Sequence, residues 1–136
     1  MTDNVITITE DTPIEEVARI MADNKIGGLP IIREDEVVGI ITETDLFKIF
    51  LELLGEREPG VRIAALEPNT FGELAHLTKT IFDIGGNVME LGTFLGDSSE
   101  NREVCIKVAG VDARALEETL EPFVEKFVDI REPQWA

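Results

Sequence analysis

The sequence predicts a mixed α+β protein made of two small units, with the element orders β-α-β-β-α and β-α-β-β-α-β. Short runs of alternating β-branched residues indicate strands, and apolar residues at helical spacing indicate helices between them. The hinge GEREPG at 55–60 combines glycine, proline and charge, which is typical of a domain boundary. We therefore expect domains at 1–54 and 61–136, with a linker at 55–60.

The first unit opens with the strand VITIT at 5–9. A helix should follow, with Thr12 as N-cap, Pro13 at the first helical position and Glu15 completing a capping box. Its apolar residues recur at the i, i+3, i+4, i+7 positions that form one helical face: Ile14, Val17, Ala18 and Met21.

Two strands, at 29–33 and 37–42, flank the acidic turn Glu34-Asp35-Glu36, and a second helix is expected at about 43–54. That helix carries an apolar surface wider than one sheet needs, which predicts a second packing partner. The residues of this surface are Leu46, Phe47, Ile49, Phe50, Leu53 and Leu54.

The second unit opens with the alternating strand VRIAALE at 61–67, and Gly85-Gly86 should end its first helix. Two strands, a helix capped near Asp112 and a last strand at 127–131 complete the order. This order predicts the ferredoxin-like sandwich, with helices on one face of an antiparallel sheet. The two helical faces consist of Leu74, Leu77, Thr78 and Ile81, then Ala113, Leu116, Leu120 and Phe123.

Composition excludes several classes of function. The 136 residues carry a formal net charge of -16, so we expect no nucleic-acid partner, because Lys and Arg drive binding to phosphate backbones. No apolar run approaches the length of a membrane span, and the amino terminus is acidic where a secretory signal is basic, so we expect a cytoplasmic protein without a membrane partner.

No residue pattern indicates an enzyme. The single cysteine, Cys105, lies in an alternating stretch and is interpreted as a packed thiol, and His76 has no second histidine or cysteine pair at metal-ligand spacing. No nucleophile-base pair stands out, so we expect no catalytic residue, no metal and no cofactor. Trp135 has two open interpretations, an anchor on a neighbouring surface or a solvent-exposed side chain.

The segment GIITETDLF at 39–47 contains Thr42-x-x-Asp45, which has the form of a capping box at the start of the second helix. Together with VITI, DTP and IGGLPII, this segment makes residues 4–54 resemble a CBS domain. Residues 61 to about 132 resemble an ACT domain, on the strength of the first strand, PNTFGEL and GGNVMEL. The combination is similar to the C-terminal part of the acetoin-utilisation regulators, which carry two CBS repeats before their ACT domain, whereas this chain has one.

The CBS resemblance implies a site for an adenine nucleotide such as AMP, ATP or S-adenosylmethionine. In it, Thr42 and Asp45 would hold the ribose hydroxyls, since a carboxylate can accept hydrogen bonds from a vicinal diol. Such sites lie between paired repeats, so one repeat supplies half a site and a homodimer is expected. The remaining residues would flank the adenine or add a hydroxyl group: the backbone around Gly28, Leu29 and Pro30, the side chain of Ile40, and Thr12. The capping interpretation of Thr42 and Asp45 remains open beside this one.

The ACT resemblance implies an amino-acid site between two copies of the chain. The matching positions are Asn69, Thr70 and Gly72 in the loop after the first strand, then Asn87 and Val88. Purely structural roles are the alternative: a turn at Asn69, a tight turn at Gly72 and a left-handed backbone at Asn87. The expected function is regulatory ligand sensing, and the alternative is a dimerisation or protein-interaction module that binds no ligand.

Overall fold

The computed structural model describes residues 5–132, so Trp135 lies outside the described residues. The chain divides into two compact units, Met1–Phe50 and Leu51–Ala136. Each unit combines helices with its own sheet, which confirms the mixed α+β class. Among the described residues, no helix has both the length and the apolar character needed to cross a membrane.

The first unit contains a three-stranded sheet in the order β1-β2-β3. β1 is parallel to β2, and β3 is antiparallel to it. The predicted apolar face of the first helix is confirmed, because Val17 and Met21 join Ile8, Leu29 and Leu46 in one buried cluster. The elements are β1 (Ile8–Thr9), α1 (Ile14–Asn24), β2 (Gly28–Arg33), β3 (Glu36–Thr42) and most of α2 (Glu43–Leu53), whose last three residues belong to the second unit.

Two predictions for the start of this unit are wrong. The first strand covers only Ile8–Thr9 instead of 5–9, because only these two residues pair with β2, at Ile31 and Ile32. Thr12 is not the N-cap of α1 and forms no capping box with Glu15. Pro13 holds the N-cap position without a side-chain hydrogen bond, and the Thr12 hydroxyl instead accepts a hydrogen bond from the Thr9 amide at 3.1 Å.

The second unit contains a four-stranded antiparallel sheet in the order β5-β6-β4-β7. Its core lies between this sheet and both helices, which pack on the same side of β4. The observed order β-α-β-β-α-β is the predicted one. Its elements are β4 (Val61–Pro68), α3 (Glu73–Asp83), β5 (Asn87–Leu95), β6 (Asn101–Ala109), α4 (Ala113–Leu120), a short 3-10 helix (Glu121–Phe123) and β7 (Lys126–Arg131).

The predicted helix boundaries of this unit have identifiable causes. The Asp112 carboxylate accepts a hydrogen bond from the Ala115 amide at 2.8 Å, which confirms the cap of α4. After α3, Gly85 adopts φ +86°, a left-handed conformation that suits glycine. Gly86 is required for a different reason, because a Cβ atom there would lie 2.7 Å from Ile81 Cγ2 and 2.9 Å from Val108 Cγ1.

Candidate functional site

The register of β2 and β3 brings together four of the residues predicted to contact a nucleotide. Gly28 lies opposite Thr42, and Pro30 lies opposite Ile40. Because side chains alternate along a strand, these four residues share the sheet face that points away from the core. Ile40 is 63% exposed, so this face presents an apolar wall beside the Thr42 hydroxyl.

The Thr42-Asp45 pair forms a complete capping box at the start of α2. Asp45 Oδ2 accepts hydrogen bonds from the Thr42 amide at 2.8 Å and from the Thr42 hydroxyl at 3.0 Å. The Asp45 amide donates to the Thr42 hydroxyl oxygen at 3.4 Å. The backbone hydrogen bond, then the hydroxyl, lowers the pKa of Asp45, so the group is a carboxylate near neutral pH.

The two oxygens of Asp45 have different roles. Oδ2 is occupied by the cap, whereas Oδ1 has no hydrogen-bond partner among residues 5–132. Carboxylate oxygens carry two lone pairs each, so Oδ1 remains free to accept hydrogen bonds from a diol. The capping and ligand-binding interpretations of this motif are therefore compatible.

Two other residues predicted to contact the nucleotide are placed differently. Leu29 is fully buried at 0% exposure, so only its backbone is available to a ligand. Thr12 follows β1, and β1 pairs with the end of β2 at Ile31 and Ile32. At about 3.3 Å per residue, that end lies about 13 Å from Gly28. The structure does not bring Thr12 next to Thr42.

A cation near the motif was missed by the sequence analysis. Lys48 lies three positions after Asp45 in α2, and its charge adds to the lowering of the Asp45 pKa. The i, i+3 spacing in a helix is the signal that could have identified it. Arg33, in contrast, donates two hydrogen bonds of 2.6 Å to Glu10, which also raise the pKa of Arg33.

The first unit also has an open apolar groove between α1 and α2, with a volume of ≈ 410 Å³. Phe47 is 62% exposed and Phe50 is 44% exposed beside this groove, although Leu46, which precedes Phe47, is buried. The excess apolar surface predicted for this helix is therefore present. The lining residues are Ala18, Met21, Ala22, Ile26, Glu43, Leu46, Phe47 and Phe50.

In the second unit, the residues predicted to bind an amino acid fall into two groups. Asn69 and Thr70 follow the carboxyl end of β4, where Pro68 pairs with Asn101. Asn87 and Val88 lie at the other end of the sheet, since Val88 pairs with Val108, the partner of Val61. The seven steps from Val61 to Pro68 span about 23 Å, so one chain does not bring the two groups together.

The three predicted residues of the loop, Asn69, Thr70 and Gly72, each have a structural role. The Asn69 side-chain amide donates to the Ser99 carbonyl at 3.1 Å, and the Thr70 hydroxyl donates to Glu73 Oε1 at 3.0 Å. Gly72 is the N-cap of α3 with φ +83°, which accounts for glycine there. The suggested left-handed backbone at Asn87 is wrong, because Gly85 takes that conformation and Asn87 begins β5.

Glu67 is a second residue that the sequence analysis missed. It is only 4% exposed, and its Oε2 atom is buried without a hydrogen-bond partner among the described residues. Burial, followed by the nearby charge of Glu73, raises the pKa of Glu67, whereas Arg102 opposes this shift. The sequence shows that Glu67 lies beside Pro68, just before the Asn69 loop. It does not show that the carboxyl group of Glu67 is buried.

Residues suited to metal binding or covalent chemistry are not clustered in the part of the chain that the structure describes. No group of three or more His, Cys, Asp or Glu side chains is placed to hold a metal ion there. Cys105 lies in β6, and burial raises the pKa of its thiol, which favours the unreactive neutral form.

Comparison with known proteins identifies the first unit. The CBS domain family matches residues 1–52, so the chain contains a CBS domain. The segment is similar to part of inosine-5'-monophosphate dehydrogenase from Thermoplasma acidophilum, at 46% identity over 43 residues, 32% of this chain and 9% of that enzyme. It is also similar to part of homoserine O-acetyltransferase from Methanosalsum zhilinae, at 48% identity over 46 residues, 33% of this chain and 9% of the relative.

An uncharacterised protein of Methanocaldococcus jannaschii is 32% identical over 82 residues, which are 59% of this chain and 44% of that protein. The chain thus spans less than half the length of these relatives. A solved CBS domain pair, from protein MJ0100 in complex with 5-methylthioadenosine and S-adenosyl-L-methionine, is 39% identical, with 43% of this chain and 44% of that chain covered. Its TM-score of 0.36 does not establish a shared overall fold.

Proposed function

We propose that this protein is a regulatory ligand sensor whose CBS domain binds an adenine nucleotide. The supporting observation is the free Oδ1 atom of Asp45 beside an exposed apolar strand face. Oδ1 would accept hydrogen bonds from the ribose hydroxyls, and Ile40 would cover one face of the adenine. AMP, ATP and S-adenosylmethionine share this ribose-adenine portion.

The basic residues near Thr42 and Asp45 indicate where the phosphate groups of a nucleotide would lie. Lys48 lies on the same helix as Asp45 and is exposed, so its ammonium group is available to a phosphate. Arg33 is already paired with Glu10 and is the last residue of β2, at the end of the strand remote from Gly28. We therefore place any phosphate of the ligand on the Lys48 side.

A homodimer completes this proposal. One CBS repeat offers half of a two-repeat site, and the α1-α2 groove leaves Phe47 and Phe50 exposed to water. A second copy, packing its own α1 and α2 on this groove, would cover both aromatic rings.

The second unit is proposed to be an ACT domain that binds an amino acid between two copies. The loop at Asn69, Thr70 and Gly72 of one copy would meet Asn87 and Val88 of the other, since within one chain these groups lie at opposite ends of the sheet. The proposed boundaries are 1–54 for the CBS domain, 55–60 for the linker and 61–136 for the ACT domain. The whole then corresponds to the C-terminal part of the acetoin-utilisation regulators.

Thermal unfolding with each ligand tests the sensing function. Millimolar AMP, ATP, S-adenosylmethionine or an amino acid should raise the melting temperature, because a ligand at 100 times its Kd stabilises the native state by about 2.7 kcal/mol. The matched control is Asp45→Asn, which keeps an oxygen for the Thr42 amide but removes the negative charge. A nucleotide that stabilises the native protein and the variant equally would contradict the ribose contact.

The second candidate is a dimerisation module that binds no ligand. The capping box supports it, because it gives Thr42 and Asp45 a structural role at the start of α2 that requires no nucleotide. A dimer in solution combined with no thermal shift from any of these ligands would identify this function instead.

A further inference from the structure

The sheet of the second unit has a face that its helices do not cover. Along β4, Val61, Ile63 and Ala65 point into the core, so the alternate residues point to the other face. A cavity of ≈ 430 Å³ lies there, within the range of small-molecule sites. Its lining residues are Glu56, Arg62, Ala64, Glu103, Val128, Asp129 and Arg131.

Strand register explains why a cavity forms at this place. Ala64 pairs with Cys105 on one side and with Asp129 on the other, so a small side chain occupies the middle of the row. In the next row, Arg62 lies opposite Arg131. The long side chains of Arg62 and Arg131 therefore lie beside the small side chain of Ala64, which leaves space above the sheet.

The guanidinium groups of Arg62 and Arg131, which line the cavity, share one counter-ion. Arg62 Nη1 donates to Asp129 Oδ2 at 3.3 Å, and Arg131 Nε donates to the same oxygen at 2.8 Å. One carboxylate therefore faces two cations, and the Nη groups of Arg131 have no hydrogen-bond partner among residues 5–132. This side of the cavity therefore keeps a net positive charge and hydrogen-bond donors that are free to contact a ligand.

An acidic residue of the cavity, Glu103, lies near Cys105, the strand partner of Ala64. The Cys105 thiol donates to Glu103 Oε2 at 3.8 Å, and Arg62 Nη2 donates to the same sulfur atom at 3.7 Å. A guanidinium and a carboxylate thus flank one sulfur atom. A ligand in the cavity would meet a positive group at one end and a negative group at the other.

We propose that this cavity binds a small polar monocarboxylate that carries an ammonium or hydroxyl donor a few ångströms from its carboxylate. The carboxylate would pair with Arg131 and Arg62, and the donor would bond to Glu103. Glu56 and Glu103 disfavour a ligand with two negative charges, as does the net charge of -16. The site lies within one chain and does not rest on the function proposed above.

Cys105 provides a probe, because it is the single cysteine of the chain, it pairs with Ala64 of the cavity lining, and its sulfur atom contacts Arg62 and Glu103 of that lining. The rate of its alkylation by iodoacetamide is measured with glycine, serine, lactate, acetate and methylammonium. We expect the first three to slow alkylation, by about tenfold at ten times the Kd. Acetate and methylammonium, which each carry one of the two groups, should protect much less. Absence of protection by every compound overturns the proposal, as does equal protection by acetate.

Two variants separate this site from the proposed loop site. Arg131→Gln removes a charge from a side chain that is 67% exposed, so folding should be retained while protection is lost. Asn69→Ala alters the loop after β4 and should leave protection intact. The opposite result, with protection lost in Asn69→Ala and kept in Arg131→Gln, overturns this proposal but leaves the loop site standing.

Discussion

Truncation of Phe47 to alanine should convert the protein from a dimer to a monomer at micromolar concentration. Phe47 is 62% exposed and borders the apolar groove between α1 and α2. A phenylalanine side chain has roughly 200 Å² of surface, so about 120 Å² of this ring is in contact with water. A partner that covers it would gain about 3 kcal/mol at 25 cal/mol per Å².

Symmetry doubles this effect, because each copy contributes the same ring to a two-fold interface. Loss of both rings should weaken dimerisation by about 10² to 10⁴-fold, according to whether half or all of each ring is covered. Folding should be little affected, since Phe47 is not part of the buried cluster of the first unit.

Sedimentation velocity over a concentration series measures the change directly. Phe71→Ala is the matched control, because it removes the same ring from a fully exposed position that does not line the groove. A native protein that is already monomeric would refute the reasoning. A Phe47→Ala variant that dimerises as well as the native protein would also refute it, and a loss of dimers in Phe71→Ala would locate the interface in the second unit.

Four further single substitutions have predicted effects. Asp45→Asn should weaken nucleotide binding by about ten- to a hundredfold, as measured by calorimetry, because a charged hydrogen-bond acceptor is lost. Glu67→Gln should flatten the pH dependence of the free energy of unfolding. Because the pKa of Glu67 is raised in the folded state, the protonated carboxyl group stabilises the folded protein fully below the unfolded-state pKa of 4.5. This stabilisation is lost as the pH rises through the folded-state pKa. Urea unfolding should therefore show the native protein losing stability relative to this variant as the pH rises toward neutrality, and parallel profiles would contradict the shift. Gly86→Ala should destabilise by about 1–3 kcal/mol through overpacking against Ile81, whereas Gly85→Ala has open space and should cost about 1–2 kcal/mol through its backbone conformation.

The parts of the candidate site that the sequence predicted depend on short-range rules. A hydroxyl and a carboxylate three residues apart at a helix start can satisfy each other through local geometry alone, and Thr42 and Asp45 do so. The opposition of Gly28 and Thr42 follows from two strands joined by a tight turn, in which Glu34 and Asp35 adopt positive φ.

The parts that were missed depend on contacts between distant segments. The same local rule failed at Thr12, because the Thr9 amide competes for its hydroxyl group. Glu67 continues the strand alternation that places Ile63 and Ala65 in the core, so its carboxyl group is buried by the fold around it. A polar residue at the end of a buried strand is ambiguous in sequence, because burial there depends on what covers the sheet.

The three proposed sites should respond differently to protein concentration. The proposed nucleotide site would need a second CBS repeat, and the proposed loop site would need Asn69 and Asn87 from different copies, since they lie at opposite ends of one sheet. Mass action then links both ligands to dimerisation. The cavity at Arg62 is complete within one chain, so its ligand should bind a monomer and a dimer equally well. Phe47→Ala therefore separates the sites: it should weaken the two shared sites and leave the third unchanged.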